Sequence, residues 1–194
     1  MISVLLDSSS TKLNVGLAKD DEVIDSVSYE AWQQQSEYMV YELDKLLKKH
    51  HFNRTDIVDI LVCVGPGSYT GVRIALTIAK VMSLALSIPI YPLSSLHVIK
   101  DDDKPSICLI NARSNRSYIG VYRNEKVIVL DTIFKNDDVL KYIDEHKDYS
   151  ICGDVKYLGL NGVESNIFKQ MLSLKNFVKP MNDTLGLKPI YMKD

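Results

Sequence analysis

The chain has 194 residues, enough for one domain of ordinary size or two small ones. Its 23 basic and 25 acidic residues leave a formal charge of −2, and 46% of its residues are hydrophobic. That balance fits a globular protein and excludes the strongly basic domain expected of a large nucleic-acid footprint.

Three short strands are predicted first, at Ile2 to Leu6, Leu13 to Ala18 and Glu22 to Tyr29. An all-polar link, Asp7 to Lys12, joins the first two, and a hairpin turn at Lys19-Asp20-Asp21 joins the next pair. From Ser36 to His51 the period becomes helical, with Ser36 as the expected cap and Met39, Leu43, Leu46 and Leu47 at helical spacing. A strand at Ile60 to Val64 leads through a glycine-rich turn into a helix from about Thr70 to Ser87. Ile88 to Pro92 has the composition of a short edge strand, where proline is tolerated.

Asp101-Asp102-Asp103-Lys104-Pro105 marks a boundary. It divides the chain into an N-terminal α/β lobe, 1–100, and a smaller C-terminal α/β lobe, 101–194. Strands are predicted beyond it at Ile107 to Ile110, Tyr118 to Arg123 and Lys126 to Phe134, with a tight turn at Asn124-Glu125. A helix near Asp137 to His146, a strand at Tyr149 to Cys152 and a weaker helix around Val163 to Leu172 follow. The remainder is extended and lacks periodicity. Each half thus opens on antiparallel strands and passes into a strand–helix unit, the pattern of a duplicated α/β fold.

The turn Gly65-Pro66-Gly67-Ser68-Tyr69-Thr70-Gly71 can aim backbone N–H groups at an anion near the following helix start. Its spacing matches neither the G-x-G-x-x-G fingerprint nor the P-loop. Asp7, Ser8, Ser10 and Lys12, with Gly65 and Gly67, are the candidate nucleotide or phosphate residues, the carboxylate for a metal and the lysine as countercharge. A plain polar hairpin is the alternative for the Asp7 to Lys12 link.

The helix after the turn keeps only a narrow polar stripe, Arg73, Thr77, Lys80, Ser83 and Ser87. Such a helix must bury more than one face. Tyr38, Val40 and Tyr41 give the preceding helix a similar excess. The two helices either pack on each other within one copy or present a surface to a partner. The candidate partner surface is Tyr38, Met39 and Tyr41 on the first helix and Ser68, Tyr69 and Arg73 at the start of the second. Ile74, Thr77, Ile78, Lys80 and Val81 continue it.

Little in the chain points to catalysis. Histidines 50, 51, 97 and 146 form no H-E-x-x-H, and His50 and His51 point about 100° apart on a helix. No G-x-S-x-G elbow occurs. Cys63, Cys108 and Cys152 are odd in number, contain no C-x-x-C and sit in apolar runs, as core thiols do. Met1 to Asp7 lacks the basic start of a signal peptide. Arg73 and Lys80 interrupt the longest apolar run, so no membrane span is expected. The chain is expected to be cytoplasmic, with no catalytic residue and no metal.

The first strand with Asp7-Ser8-Ser9-Ser10-Thr11, the segment Gly65 to Ile74, and Asn111-Ala112-Arg113 followed by Tyr118 together resemble the TsaB (YeaZ) family. Pro189-Ile190-Tyr191 is similar to that family's closing Pro-x-Tyr. The resemblance implies an actin-like, sugar-kinase-like ATPase (ASKHA) fold of two lobes, the second reduced. It implies a non-catalytic subunit that binds TsaD, with TsaE in the larger assembly, and supports N6-threonylcarbamoyladenosine formation at position 37 of tRNAs. TsaD carries an H-x-x-x-H metal pair, whereas the corresponding helix here, Gln33 to Tyr41, has no histidine. The resemblance also places the TsaD contact on the first two helices; the surplus apolar surface there makes the same patch a candidate homodimer face when TsaD is absent. No tightly bound cofactor is expected, the subunit junction is a candidate place for ATP or ADP, and contact with tRNA is expected to be indirect. Asn111-Ala112-Arg113-Ser114-Asn115-Arg116 departs from the family's commoner Asp-Ala-Arg pattern. Other readings are a small-molecule phosphotransferase of the same fold, a metallopeptidase-like protein, or direct tRNA binding by Arg113, Arg116 and Arg123 around Tyr118 and Tyr122.

Overall fold

A computed structural model describes residues 1–192. The first sheet holds β1 (Ile2–Asp7), β2 (Lys12–Lys19), β3 (Glu22–Glu30), β4 (Ile57–Cys63) and β5 (Ile90–Leu93), in the order β3-β2-β1-β4-β5. The first three strands are antiparallel neighbours, whereas β4 and β5 add in parallel. Asp20 and Asp21, at φ 53° and 64°, close the β2–β3 hairpin, because two left-handed residues match the strand twist. Parallel pairing needs a crossover, and α1 (Gln35–Lys49) and α2 (Tyr69–Leu86) supply the two. Both helices start at the carboxyl ends of strands running with β1.

Strands β1 and β4 are hydrophobic without alternation because both faces of the sheet are covered. Val4, Leu6, Ile60 and Val62 pack under Met39, Leu43 and Leu46 of α1 and Ala75, Leu76 and Ala79 of α2. On the other face Leu5, Leu61, Cys63 and Leu93 meet Phe168, Met171, Leu172 and Leu174 of α4 (Ile167–Lys175). Although it follows the boundary at 101–105 in sequence, α4 packs on the open face of the first sheet. From the first hundred residues only the short 3-10 turn His97–Ile99 reaches that face, through Val98 and Ile99. Lys175 fastens it, with Nζ 2.7 Å from Asp59 and 3.1 Å from the Ser3 hydroxyl.

The second sheet repeats the plan. It holds β6 (Ser106–Arg113), β7 (Arg116–Arg123), β8 (Lys126–Lys135) and β9 (Ser150–Cys152), in the order β8-β7-β6-β9. Here α3 (Asn136–Glu145) is the crossover to the parallel β9, and Val139 drives it into a core with Ile107, Leu109, Ile119 and Val121. A three-residue β9 and the lack of a fifth strand make this sheet the smaller one.

The two sheets meet through a polar knot. Ser94, just after β5, donates to Asp131 of β8 at 2.5 Å, and Tyr122 of β7 donates to the same carboxylate. His97 stacks on Tyr122 with centroids 4.0 Å apart.

One acid-stability effect follows from the outer edge of the first sheet. Asp25 on β3 receives Lys49 Nζ at 2.7 Å and His50 Nε2 at 2.8 Å from the end of α1. The Lys49 ammonium, then His50, hold its carboxyl down at about 2, against 3.8 ordinarily. A lowered folded pKa stabilises the fold above about pH 4, and that contribution disappears as pH falls through about 2. The full linkage would be about 2.5 kcal/mol; the exposure of Lys49 reduces it to roughly 1 kcal/mol. Asp25→Asn should therefore lower unfolding free energy at pH 7 by about 1 kcal/mol, and the difference from wild type should vanish near pH 2 in urea titrations.

Candidate functional site

The carboxyl ends of β1 and β4 carry the loop Ser8 to Thr11 and the turn Gly65 to Ser68. In this fold class that end is where a ligand would be sought. Asp7 is buried, and its chain takes both carboxylate oxygens: Oδ1 accepts Ser9 N–H at 3.0 Å and Oδ2 accepts Asn14 Nδ2 at 2.9 Å. Asn14 in turn accepts from Ser28 at 2.7 Å. Ser8 donates to the Gly71 carbonyl at 2.8 Å, and Ser68 N–H donates to the Ser9 carbonyl at 2.7 Å. Burial first, and Asp7 beside it, push the Cys63 thiol well up, as befits a core thiol.

The glycines of the turn are required by close packing. A Cβ on Gly71 would lie 1.8 Å from the Ser8 carbonyl oxygen, and one on Gly67 would lie 2.4 Å from that of Ser9. Gly65, at φ 108°, faces the Ile190 carbonyl in the same way, at 2.8 Å. Asp7, Ser8, Gly65 and Gly67 come together, and their polar groups or added carbons meet the chain's own backbone and side chains. Ser10 turns its hydroxyl to Lys12 N–H at 3.2 Å, and Lys12 Nζ is 3.5 Å from Glu164. Among the described residues no group of three or more His, Cys, Asp and Glu is placed to hold a metal.

The candidate partner surface lies on α1 and α2, which contact each other over the first sheet. Ser36 is not the cap: α1 begins one residue earlier, and Gln35 reaches back to the carbonyls of Ser10 and Lys12 at 2.8 and 3.0 Å. Ser68 caps α2 by accepting Gly71 N–H at 3.2 Å. Val40, Tyr41, Tyr69, Val81 and Leu84 are 54% to 62% exposed. Arg73 and Thr77 are exposed between them, and Ile74 and Ile78 are half-buried over the core.

Some residues of that set belong elsewhere. Met39 is fully buried, since it shares the helical spacing of Leu43 and Leu46 that points into the sheet. Tyr38 is half-buried, edge-on to Tyr29 at 6.5 Å. Lys80 is half-buried, with Nζ donating to the Leu185 carbonyl at 3.3 Å. The tRNA set is not assembled: Arg116 and Arg123 stand at opposite ends of β7, and Tyr122 is buried against Asp131. Arg113 heads a tight hairpin, where it, Ser114 and Asn115 all have positive φ.

Sequence reasoning missed the segment after α4. Met181 bridges Ile90, Leu187 enters the first core, and Ile190 N–H donates to the Val64 carbonyl at 2.7 Å. Tyr191 then stacks on Tyr69. This strap has no helical or strand period, so its place was visible only in the single apolar residues Met181, Leu187 and Ile190. Leu185, Ile190 and Tyr191 extend the exposed surface beside α2.

Comparison with known proteins gives a consistent picture. The family model described as "TsaD: tRNA N6-adenosine threonylcarbamoyltransferase" matches residues 28–164. The chain is 29% identical over 194 residues to "Uncharacterized protein MG208" of Mycoplasma genitalium, covering 98% of this chain and 94% of the relative. It is 32% identical over 143 residues to "tRNA threonylcarbamoyladenosine biosynthesis protein TsaB" of Bacillus subtilis, covering 63% of this chain and 56% of the relative. The solved structure "YeaZ from Pseudomonas aeruginosa" superposes with a TM-score of 0.82 at 19% identity, covering 98% and 99% of the two chains. The fold is therefore that of the two-lobed ASKHA proteins.

Proposed function

We propose a role that starts from kinship: this chain belongs to the TsaD family and, within it, to the TsaB proteins. It takes part in making N6-threonylcarbamoyladenosine, at position 37 of tRNAs, the biosynthesis for which its TsaB relatives are named. Within that pathway it acts as a non-catalytic scaffold that docks TsaD through α1 and α2, with TsaE joining the assembly and the whole working in the cytoplasm.

One observation carries the docking role. Two adjacent helices cover the first core and still leave Val40, Tyr41, Val81 and Leu84 more than half exposed. Exposed apolar residues on neighbouring helices form a surface that a second helical face can cover. The placement of any nucleotide at the junction with TsaD, outside this chain, is supported by Asp7 and the glycine turn, which are engaged by their own chain.

Purified chain mixed with the cognate TsaD should run as a one-to-one complex in light-scattering chromatography. Threonylcarbamoyl transfer to tRNA should require TsaD and be undetectable with this chain alone. Transfer by this chain alone, or the lack of any complex, would overturn the reading.

A further inference from the structure

We propose that Arg73, Tyr69 and Tyr191 form a preassembled anchor at one end of the docking face, built to receive a carboxylate set in an apolar surface of TsaD. The inference rests on the docking role above and names the chemistry of its strongest point.

Tyr69 and Tyr191 stack with centroids 4.8 Å apart and planes 25° from parallel. Arg73, one helical turn along α2, donates from Nη1 to Tyr69 Oη at 3.0 Å and lies 5.1 Å from the centre of the same ring. Three side chains from two distant segments are thus locked together while staying at the surface. Tyr69 is 58% exposed and Tyr191 44%. Arg73 is exposed, and no carboxylate among the described residues pairs with it.

The strap holds Tyr191 in place through bonds of its own. Ile90 and Met181 exchange both backbone hydrogen bonds, at 3.0 and 2.7 Å, and Ile190 is tied to Val64. Leu187 is buried in the first core. Ordering of these side chains is therefore complete before any partner arrives, which removes a cost that binding otherwise bears. Tyrosine and arginine are the residue types enriched at the energetic centres of interfaces.

The remaining guanidinium donors form a planar fork that fits a carboxylate in two parallel hydrogen bonds. Two aromatic rings flank that fork, and the exposed apolar residues Val81 and Leu84 follow two and three turns further along α2, beyond Thr77. A phosphate would satisfy the cation but leave this apolar run uncovered. An acidic side chain projecting from an apolar protein surface satisfies both.

Calorimetric titration of the full chain with its cognate TsaD, at low and at high salt, tests the anchor. Arg73→Gln and Tyr191→Leu should each weaken binding tenfold or more, and Arg73→Gln should also flatten the salt dependence. Tyr191→Phe, which keeps the stack, should bind like wild type; Arg73→Lys, which keeps charge without the fork, should recover only part of the affinity. Wild-type affinity in both Arg73→Gln and Tyr191→Leu would overturn the anchor. So would an effect of Arg73→Gln confined to salt-dependent tRNA binding. The control Val81→Glu separates the two claims: if it binds TsaD normally the docking role falls, whereas if it alone fails to bind only the anchor falls.

Discussion

Gly71→Ala is expected to lower the unfolding free energy by about 3–5 kcal/mol, a large share of the roughly 5–15 kcal/mol typical of a domain. The methyl carbon would sit 1.8 Å from the Ser8 carbonyl oxygen and 3.2 Å from the Ser68 hydroxyl. Relief requires α2 or the Ser8-Ser9 loop to retreat. The helix is held by Val72 and Ala75, both buried, and the loop by its hydrogen bonds to Gly71 and Ser68. Overpacking costs typically 1–3 kcal/mol, and each hydrogen bond lost on retreat adds about 1 kcal/mol. Urea denaturation should show the midpoint falling accordingly. Gly159→Ala provides the contrast: nothing lies within 4 Å of its added carbon, so only the left-handed backbone at φ 72° resists, at about 1 kcal/mol. Equal losses at the two positions would show that the Ser8 contact is not what makes Gly71 necessary.

Val81→Glu should leave the fold intact and weaken TsaD binding by about 100-fold or more. Val81 is 62% exposed, so a carboxylate there is hydrated in the free chain. Covered by an apolar partner face, the same carboxylate must lose its water without a compensating cation. Burying an unpaired charge at an interface costs about 2–5 kcal/mol, and 2.8 kcal/mol is already about a hundredfold. Unchanged chemical denaturation alongside lost complex formation is the expected pair of results. Ala79 cannot serve the same purpose. It is fully buried against the sheet, and a charge there would unfold the chain before it tested an interface.

Much of this was visible in the residues themselves. The unbroken apolar run at Ile60 to Val64 and the glycine turn after it locate the end of β4 and the start of α2 to within one residue, while β4 begins three residues earlier at Ile57. Lys19-Asp20-Asp21 and Asn124-Glu125 fall at hairpin turns. Other features were hidden, because they depend on what meets what in space. The spacing of Gly65, Gly67 and Gly71 suits an anion cradle as well as close backbone packing, and the approach of the Ser8-Ser9 loop to Gly67 and Gly71 is set by contacts distant in sequence. Nothing in the period of Ile167 to Lys175 says which sheet it will cover; the bare face carrying Leu5, Leu61 and Cys63 makes that choice. The strap from Met181 to Tyr191 is held by isolated contacts and leaves no periodic signature.

Hydrogen–deuterium exchange of the full chain, with and without saturating TsaD, addresses the docking role directly. Added TsaD should slow exchange in peptides from Gln35–Lys49 and Tyr69–Leu86 and leave those from β8 and α3 unchanged. Slowing confined to β8 and α3, with both helices exchanging as in the free chain, would contradict it.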